Sequence, residues 1–443
     1  MGTHASPVTS TSSTGSTGSS HRTGPRRRLV SLTPAASALA ERSAATHDHS
    51  APAVADTAVP SARTACDVSV AGGVVRGFRE GPVVAWRGIP YAAPPIGRLR
   101  FRAPQPVVPW HGIRDARRFG DIACQIPRSP LRVKSARTPA SEDCLTINVL
   151  APAVGRRTRL SLPVMVFIHG GGYSVGSSQD FPDQGEAFVR TGRIVYVNFN
   201  YRLGALGYLD FSRYSTPARP FESNLGLRDQ VAALTWVHEN IRAFGGNPNN
   251  VTLFGESAGG NAAITLMATP SACGLFSRVI AQSPPPGAAY APGLAAEWAE
   301  EFLHELRRLA ADDGRGPAAL LEHADVDDLL AAALTLQAHT PDAQPGTFPL
   351  APVVDGDFLP ERPVDAFRHG QAQRVPLIIG TNDREGSAFR GRVSILPTSR
   401  NRIQALFDRA PENVRDAMRA AYPGLHSKRT SSDFGGAPFG FRA

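Results

Sequence analysis

The sequence is poor in lysine, in cysteine and in long apolar runs. Lys134 and Lys428 are its only lysines, so the formal net charge of +9 rests almost wholly on arginines scattered through Ala- and Pro-rich sequence. They form no basic stripe interleaved with aromatics, and no nucleic-acid partner is expected. Four cysteines in 443 residues exclude a disulfide-framework protein while leaving enough for one or two bridges. No uncharged apolar run approaches the ~18 residues that cross a bilayer, so no membrane span is expected. What is present is globular: 42% hydrophobic and 19% charged residues, enough to bury a large core and too apolar for a wholly disordered chain.

Residues 1–65 stand apart. Residues 9–20, a Ser/Thr/Gly tract, have nothing to bury and read as disordered. Arg26, Arg27 and Arg28 precede an uncharged stretch, Leu29 to Ala40, that ends in the small-x-small pattern Ala38-Leu39-Ala40. Two readings stand: an export signal of twin-arginine type, giving a secreted or extracytoplasmic protein, or a disordered tail with a chance arginine cluster on a cytoplasmic one. The remaining residues, 66–443, read as one catalytic domain.

From Val68 onward short apolar runs alternate with helical patterns. Val164–Ile168, Ile194–Asn198, Val251–Phe254, Val279–Ala281 and Pro376–Ile379 read as buried strands. Leu227–Phe244 carries a broad helical face, and residues 294–309 and 326–338 read as inserted helices, the second with Asp325 as N-cap. Strands alternating with helices predict an α/β protein with a mostly parallel sheet covered on both faces. No internal repeat is present.

The chemistry gathers at Gly255-Glu256-Ser257-Ala258-Gly259, between the strand VTLF and the small-residue helical stretch NAAITLMA. A G-x-S-x-G between strand and helix predicts a nucleophile elbow, with the Ser257 oxygen held above the sheet near a helix N-terminus. His169-Gly170-Gly171-Gly172-Tyr173 follows the strand VMVFI. Such a turn offers the N–H groups of Gly171 and Gly172 to an oxyanion, joined by that of Ala258. No G-K-[ST] follows it and no G-x-G-x-x-G opens a helix, which argues against a phosphate cradle. His169 precedes the serine on this turn and reads as a loop-ordering residue, not a base. No cofactor or metal is called for.

These motifs, with Trp86–Pro95, Leu99-Arg100-Phe101, Ser141–Leu145, Asn200-Tyr201-Arg202 and Asn240–Pro248, resemble in order those of the type-B carboxylesterases, which include the cholinesterases. The resemblance runs from about Val68 to near the C-terminus. It implies an α/β-hydrolase fold and serine ester hydrolysis through an acyl-enzyme. It also implies Glu385 as triad acid, with Arg384 where relatives often carry Asp; an Arg100–Glu142 ion pair; and a Cys124–Cys144 bridge worth roughly 3 kcal/mol by loop entropy. Residues 125–143 hold no aromatic but carry Arg128, Arg132, Lys134 and Arg137, so a choline ester would meet positive charge and no π-face. Uncharged small-molecule esters are the expected substrates.

The family's base is a histidine in a His-Gly-rich loop well beyond the acid. Here the only histidine after Glu385 is His426, in the right order but the wrong surroundings. The expectation is a C-terminally incomplete domain lacking the last strand and closing helix, either a serine esterase or a catalytically inactive, esterase-like interaction module. Cys66 and Cys273 receive no role.

Overall fold

The computed structural model describes residues 65–126, 139–153, 161–310, 314–383, 385 and 399–421. All of them belong to the unit Pro60–Ala443. The export pattern and His426 lie outside the described residues, as do Arg128, Arg132, Lys134, Arg137 and Arg384.

The chain opens with three antiparallel strands, β1 (Ala65–Val70), β2 (Gly73–Glu80) and β3 (Val83–Pro90), followed by the short β4 (Ile113–Asp115), β5 (Ile122–Ala123) and β6 (Ala140–Ser141). Then come β7 (Thr146–Pro152), β8 (Leu162–Ile168), α1 (Pro182–Val189), β9 (Val195–Phe199), α2 (Gly204–Tyr208) and α3 (Leu225–Asn240). After these, β10 (Gly246–Glu256) runs straight into α4 (Ala258–Met267), and β11 (Arg278–Gln282) follows. The helices α5 (Pro292–Leu309), α6 (Pro317–His323), α7 (Val326–Ala343) and α8 (Pro363–His369) precede β12 (Leu377–Gly380). Two more, α9 (Arg400–Arg409) and α10 (Glu412–Ala421), come last among the described residues.

The main sheet runs β1-β2-β3-β7-β9-β8-β10-β11-β12, with β4 beside β2. Its first half is antiparallel, whereas β9, β8, β10, β11 and β12 are parallel. The sheet is therefore more mixed than the strand–helix alternation predicts. The reason lies in the Gly-containing two-residue turns at 71–72 and 81–82, which return the chain as hairpins. The parallel half carries the site, because parallel strands bring all their C-terminal ends, and the loops that follow, to one edge.

Val164, Val166 and Ile168 on β8, Val195, Val197 and Phe199 on β9, and Val251 and Leu253 on β10 are sealed from solvent. Leu227, Leu234, Trp236 and Val237 of α3 and Trp298, Phe302 and Leu306 of α5 join the same core. Each fully buried side chain of this size contributes about 1.5–3 kcal/mol of apolar transfer, the term that opposes chain entropy. Arg202 and Asp229 form an ion pair closed to solvent, Nη2 to Oδ1 at 2.6 Å and Nε to Oδ2 at 2.8 Å. Arg100 grips Glu142 with two hydrogen bonds and reaches the carbonyls of Glu322 and Ala324, as the resemblance implied.

One sequence-based expectation needs correction. Pro376–Ile379 is not a buried strand: β12 is the last strand of the sheet among the described residues, and Ile378 and Ile379 are 67% and 53% exposed. Asp325 stands at the N-cap of α7 with extended backbone, as expected; its side chain makes no cap hydrogen bond, and Asp327 and Asp328 place negative charge in the first turn. Cys124 and Cys144, the pair the resemblance implies, are free, buried thiols lining one small pocket with Arg100, Glu142 and Arg202. Burial pushes the Cys124 thiol up to about 11 and that of Cys144 well above its ordinary value, so neither holds the thiolate that exchange chemistry requires.

Candidate active site

Ser257 sits where β10 ends and α4 begins, with φ 56° and ψ −121°. Only glycine visits that region without cost, and a side chain held there stores on the order of 1–3 kcal/mol. Two hydrogen bonds hold it in place. The Ser257 N–H donates to Gln282 O at 2.9 Å, and Asn261 N donates to Ser257 O at 2.9 Å. The motif glycines are required by close approach. A Cβ on Gly255 would lie 2.4 Å from the Gly259 carbonyl carbon.

The His169–Gly172 turn rises from β8, the strand next to β10. Gly171 has φ 110°, and a Cβ there would lie 2.0 Å from Val175 O, so only glycine fits. A Cβ on Gly170 would come within 3.2 Å of Glu256 Oε2 and 3.4 Å of Ser257 Cβ, which puts the turn directly against the serine. Among the described residues no protein acceptor takes the N–H groups of Gly171, Gly172 or Ala258. Gln125 fastens the far end of the turn, accepting from Gly176 N and donating to Gly176 O.

His169 is buried and stacks on Tyr201 with ring centroids 4.3 Å apart. Its Nδ1 lies 2.9 Å from Gly170 O, and its Nε2 has no hydrogen-bond partner among the described residues. Burial lowers its pKa, which keeps the ring neutral. That suits a residue ordering the turn.

Glu385 follows β12 and accepts the Asn382 N–H at 2.6 Å. The Asn382 side chain donates to Ser283 Oγ at 3.1 Å, and Ser283 N donates to Gly380 O at 2.7 Å. Ser283 adjoins Gln282, which holds the elbow, so a run of hydrogen bonds joins the Glu385 loop to the serine's turn. Glu385 also acts electrostatically on Glu256. The Glu256 side chain reaches solvent, yet the protein around it, and then the charge of Glu385, raise its pKa. Glu256 is a neighbour of the serine that the motif reading passed over; as the x of G-x-S-x-G it carried no signal of its own. Among the described residues no histidine hydrogen-bonds Ser257 or Glu385, and no cluster of His, Cys, Asp and Glu could hold a metal ion.

The site thus joins a strained serine, unclaimed N–H groups beside it and a carboxylate in electrostatic reach. The carboxylesterase family model matches residues 64–426. The chain is 40% identical over 320 residues to para-nitrobenzyl esterase of Bacillus subtilis (strain 168), an alignment covering 72% of this chain and 62% of that protein. Fumonisin B1 esterase of Sphingopyxis macrogoltabida is 39% identical over 347 residues, 76% of this chain and 60% of that one. The alignments thus span about three fifths of the length of these curated relatives. A solved thermophilic PNB esterase superposes with TM-score 0.73 at 35% identity, covering 83% of this chain and 73% of that one.

Proposed function

The chain belongs to the carboxylesterase family, and from that premise we propose that it is a serine esterase acting on uncharged carboxylic esters through an acyl-enzyme. The observation that carries the reading is Ser257 itself. A non-glycine residue held in a glycine conformation, beside N–H groups that nothing else uses, is a cost to the fold unless the hydroxyl and those groups have work to do. In the proposed reaction Ser257 Oγ attacks the ester carbonyl while the N–H groups of Gly171, Gly172 and Ala258 receive the charge that develops on the oxygen. Collapse of that tetrahedral adduct expels the alcohol and leaves the acyl group on Ser257, and water completes hydrolysis. To Glu385 this reading gives the role of the acid that orients a base, and among the described residues no histidine hydrogen-bonds it.

The relatives named para-nitrobenzyl and fumonisin B1 esterase support an ester substrate and leave the acyl and alcohol groups open. Export belongs to the same proposal, and in an oxidising compartment Cys124 and Cys144, which share a pocket, would close their bridge.

An organophosphonate ester probe tests the reading, because it phosphonylates an activated serine. Covalent labelling that maps to Ser257 and vanishes in Ser257→Ala is the expected result. Labelling that persists in the alanine variant overturns it. A folded chain that takes no label is the result an inactive, esterase-like interaction protein would give.

A further inference from the structure

An oxyanion hole built from two loops works only if the loops keep their spacing. Gly171 and Gly172 belong to the turn after β8, and Ala258 to the start of α4. Their N–H groups would have to converge on one oxygen within tenths of an ångström, since misplacement by about 1 Å can cost a hundredfold in rate. Something must tie the two segments together.

Asn261 is the first polar side chain in α4 and it is wholly buried. An amide sealed among Ala258, Gly259, Ala262 and Ala263 is costly unless every polar atom is used. Here both ends are. Its Oδ1 accepts from the Tyr173 hydroxyl at 2.5 Å, and its Nδ2 donates to Pro285 O at 2.8 Å. Tyr173 directly follows Gly172, is itself buried, and has φ 57°. Its ring packs on Tyr208 with centroids 4.2 Å apart, and its carbonyl accepts the Gly204 N–H at 2.8 Å. One hydrogen bond therefore links the residue after the turn to the residue three past Ala258, and the same amide reaches the loop after β11.

We propose that Tyr173 and Asn261 are positioning residues that set the distance between the two halves of the oxyanion hole. The inference rests on the esterase reading of the site and adds residues that the G-x-S-x-G and HGGG patterns do not include. Neither side chain touches the reacting atoms; each acts through the backbone N–H groups beside it.

The test compares Tyr173→Phe, Asn261→Leu, the double variant and Ser257→Ala in the full chain. Two readouts are used: the rate of phosphonylation at Ser257 and amide hydrogen exchange in the peptide spanning 167–176. Tyr173→Phe keeps the ring on Tyr208 and removes only the hydroxyl, so it serves if Asn261→Leu fails to fold. Each single change should slow phosphonylation about tenfold and raise exchange in the turn by a similar factor, leaving β10 protected. With a p-nitrophenyl ester the loss should fall on kcat with KM unchanged. The double variant should be no slower than the worse single one, because both changes break one link. Unchanged turn exchange in Tyr173→Phe overturns the proposal, as does loss of thermal stability with unchanged phosphonylation. Ser257→Ala separates the two readings. It should lose the label and keep turn exchange at the parent's level, whereas persistent labelling would defeat the esterase reading and leave the exchange result to judge the link.

Discussion

Gly259 lies so close beneath Ile168 that a methyl group on its Cα would stand 2.1 Å from the Ile168 carbonyl oxygen. The glycine that ends the G-x-S-x-G pattern is thus what lets α4 settle against β8. Gly259→Ala must push two backbones apart, and overpacking of this kind costs about 1–3 kcal/mol or more. The expected outcome is a lower urea midpoint with an unchanged m-value, together with loss of phosphonate labelling as Ser257 moves off the turn.

Glu256 gives a pH dependence with a definite sign. Burial, and secondly the charge of Glu385, raise its pKa above the ordinary 4.5, so the folded chain binds this proton more tightly than the unfolded chain. The carboxyl's share of stability is complete below 4.5 and is lost as pH rises through the raised value. Glu256→Gln should therefore be more stable than the parent above that window and equal to it or less stable below it. Urea melts at several pH values check this, and Glu385→Gln should shift the parent's curve the same way by removing the facing charge.

The Arg202–Asp229 pair is closed to solvent on both sides, and Asp229 Oδ2 also accepts the Arg202 backbone N–H at 3.0 Å. Removing one partner strands the other's charge in the core. Asp229→Ala should cost about 3–5 kcal/mol, read from chemical unfolding, and will leave the chain largely unfolded if its total stability is near the low end of the usual range. Replacing both partners with well-fitted apolar residues should cost far less.

The cysteines should divide by reactivity. Cys273 is exposed, whereas burial holds the Cys124 and Cys144 thiols protonated. Iodoacetamide on the native, reduced protein at neutral pH should alkylate Cys273 first and reach the buried pair only on unfolding. Peptide mapping without reduction of exported protein should find Cys124 joined to Cys144; both recovered as free thiols would count against export and bridge together.

Much of the parallel half was legible because its signals are local. VMVFI, IVYVN and the run before Gly255 announce β8, β9 and β10 by apolar length, β9 lying one residue further on, and the chain around Ser257 announces the elbow by glycine spacing. Glu385 was singled out only through family resemblance, since a turn carboxylate has no periodicity of its own. The one misreading has a physical cause. Pro376–Ile379 has the composition of a buried strand, but burial depends on what lies on its far side, and a strand's own residues do not encode that. The Tyr173–Asn261 link was invisible for a related reason: a tyrosine after a glycine turn and an asparagine in a small-residue helix mean nothing until folding brings them to 2.5 Å.

The outermost strand among the described residues has its own consequence for the protein in bulk solution. Leu377–Gly380 pairs with β11 on one side, and no described strand takes its other row of backbone donors and acceptors, while Ile378 and Ile379 face water beside them. A short apolar edge of this kind is a template for another chain's strand, and its tendency to recruit one grows with concentration. Where nothing else covers this edge, association through it should set colloidal behaviour more than the surface as a whole does. Arginine-borne net charge keeps molecules apart at low ionic strength, and added salt, by screening that repulsion, lets the edges meet.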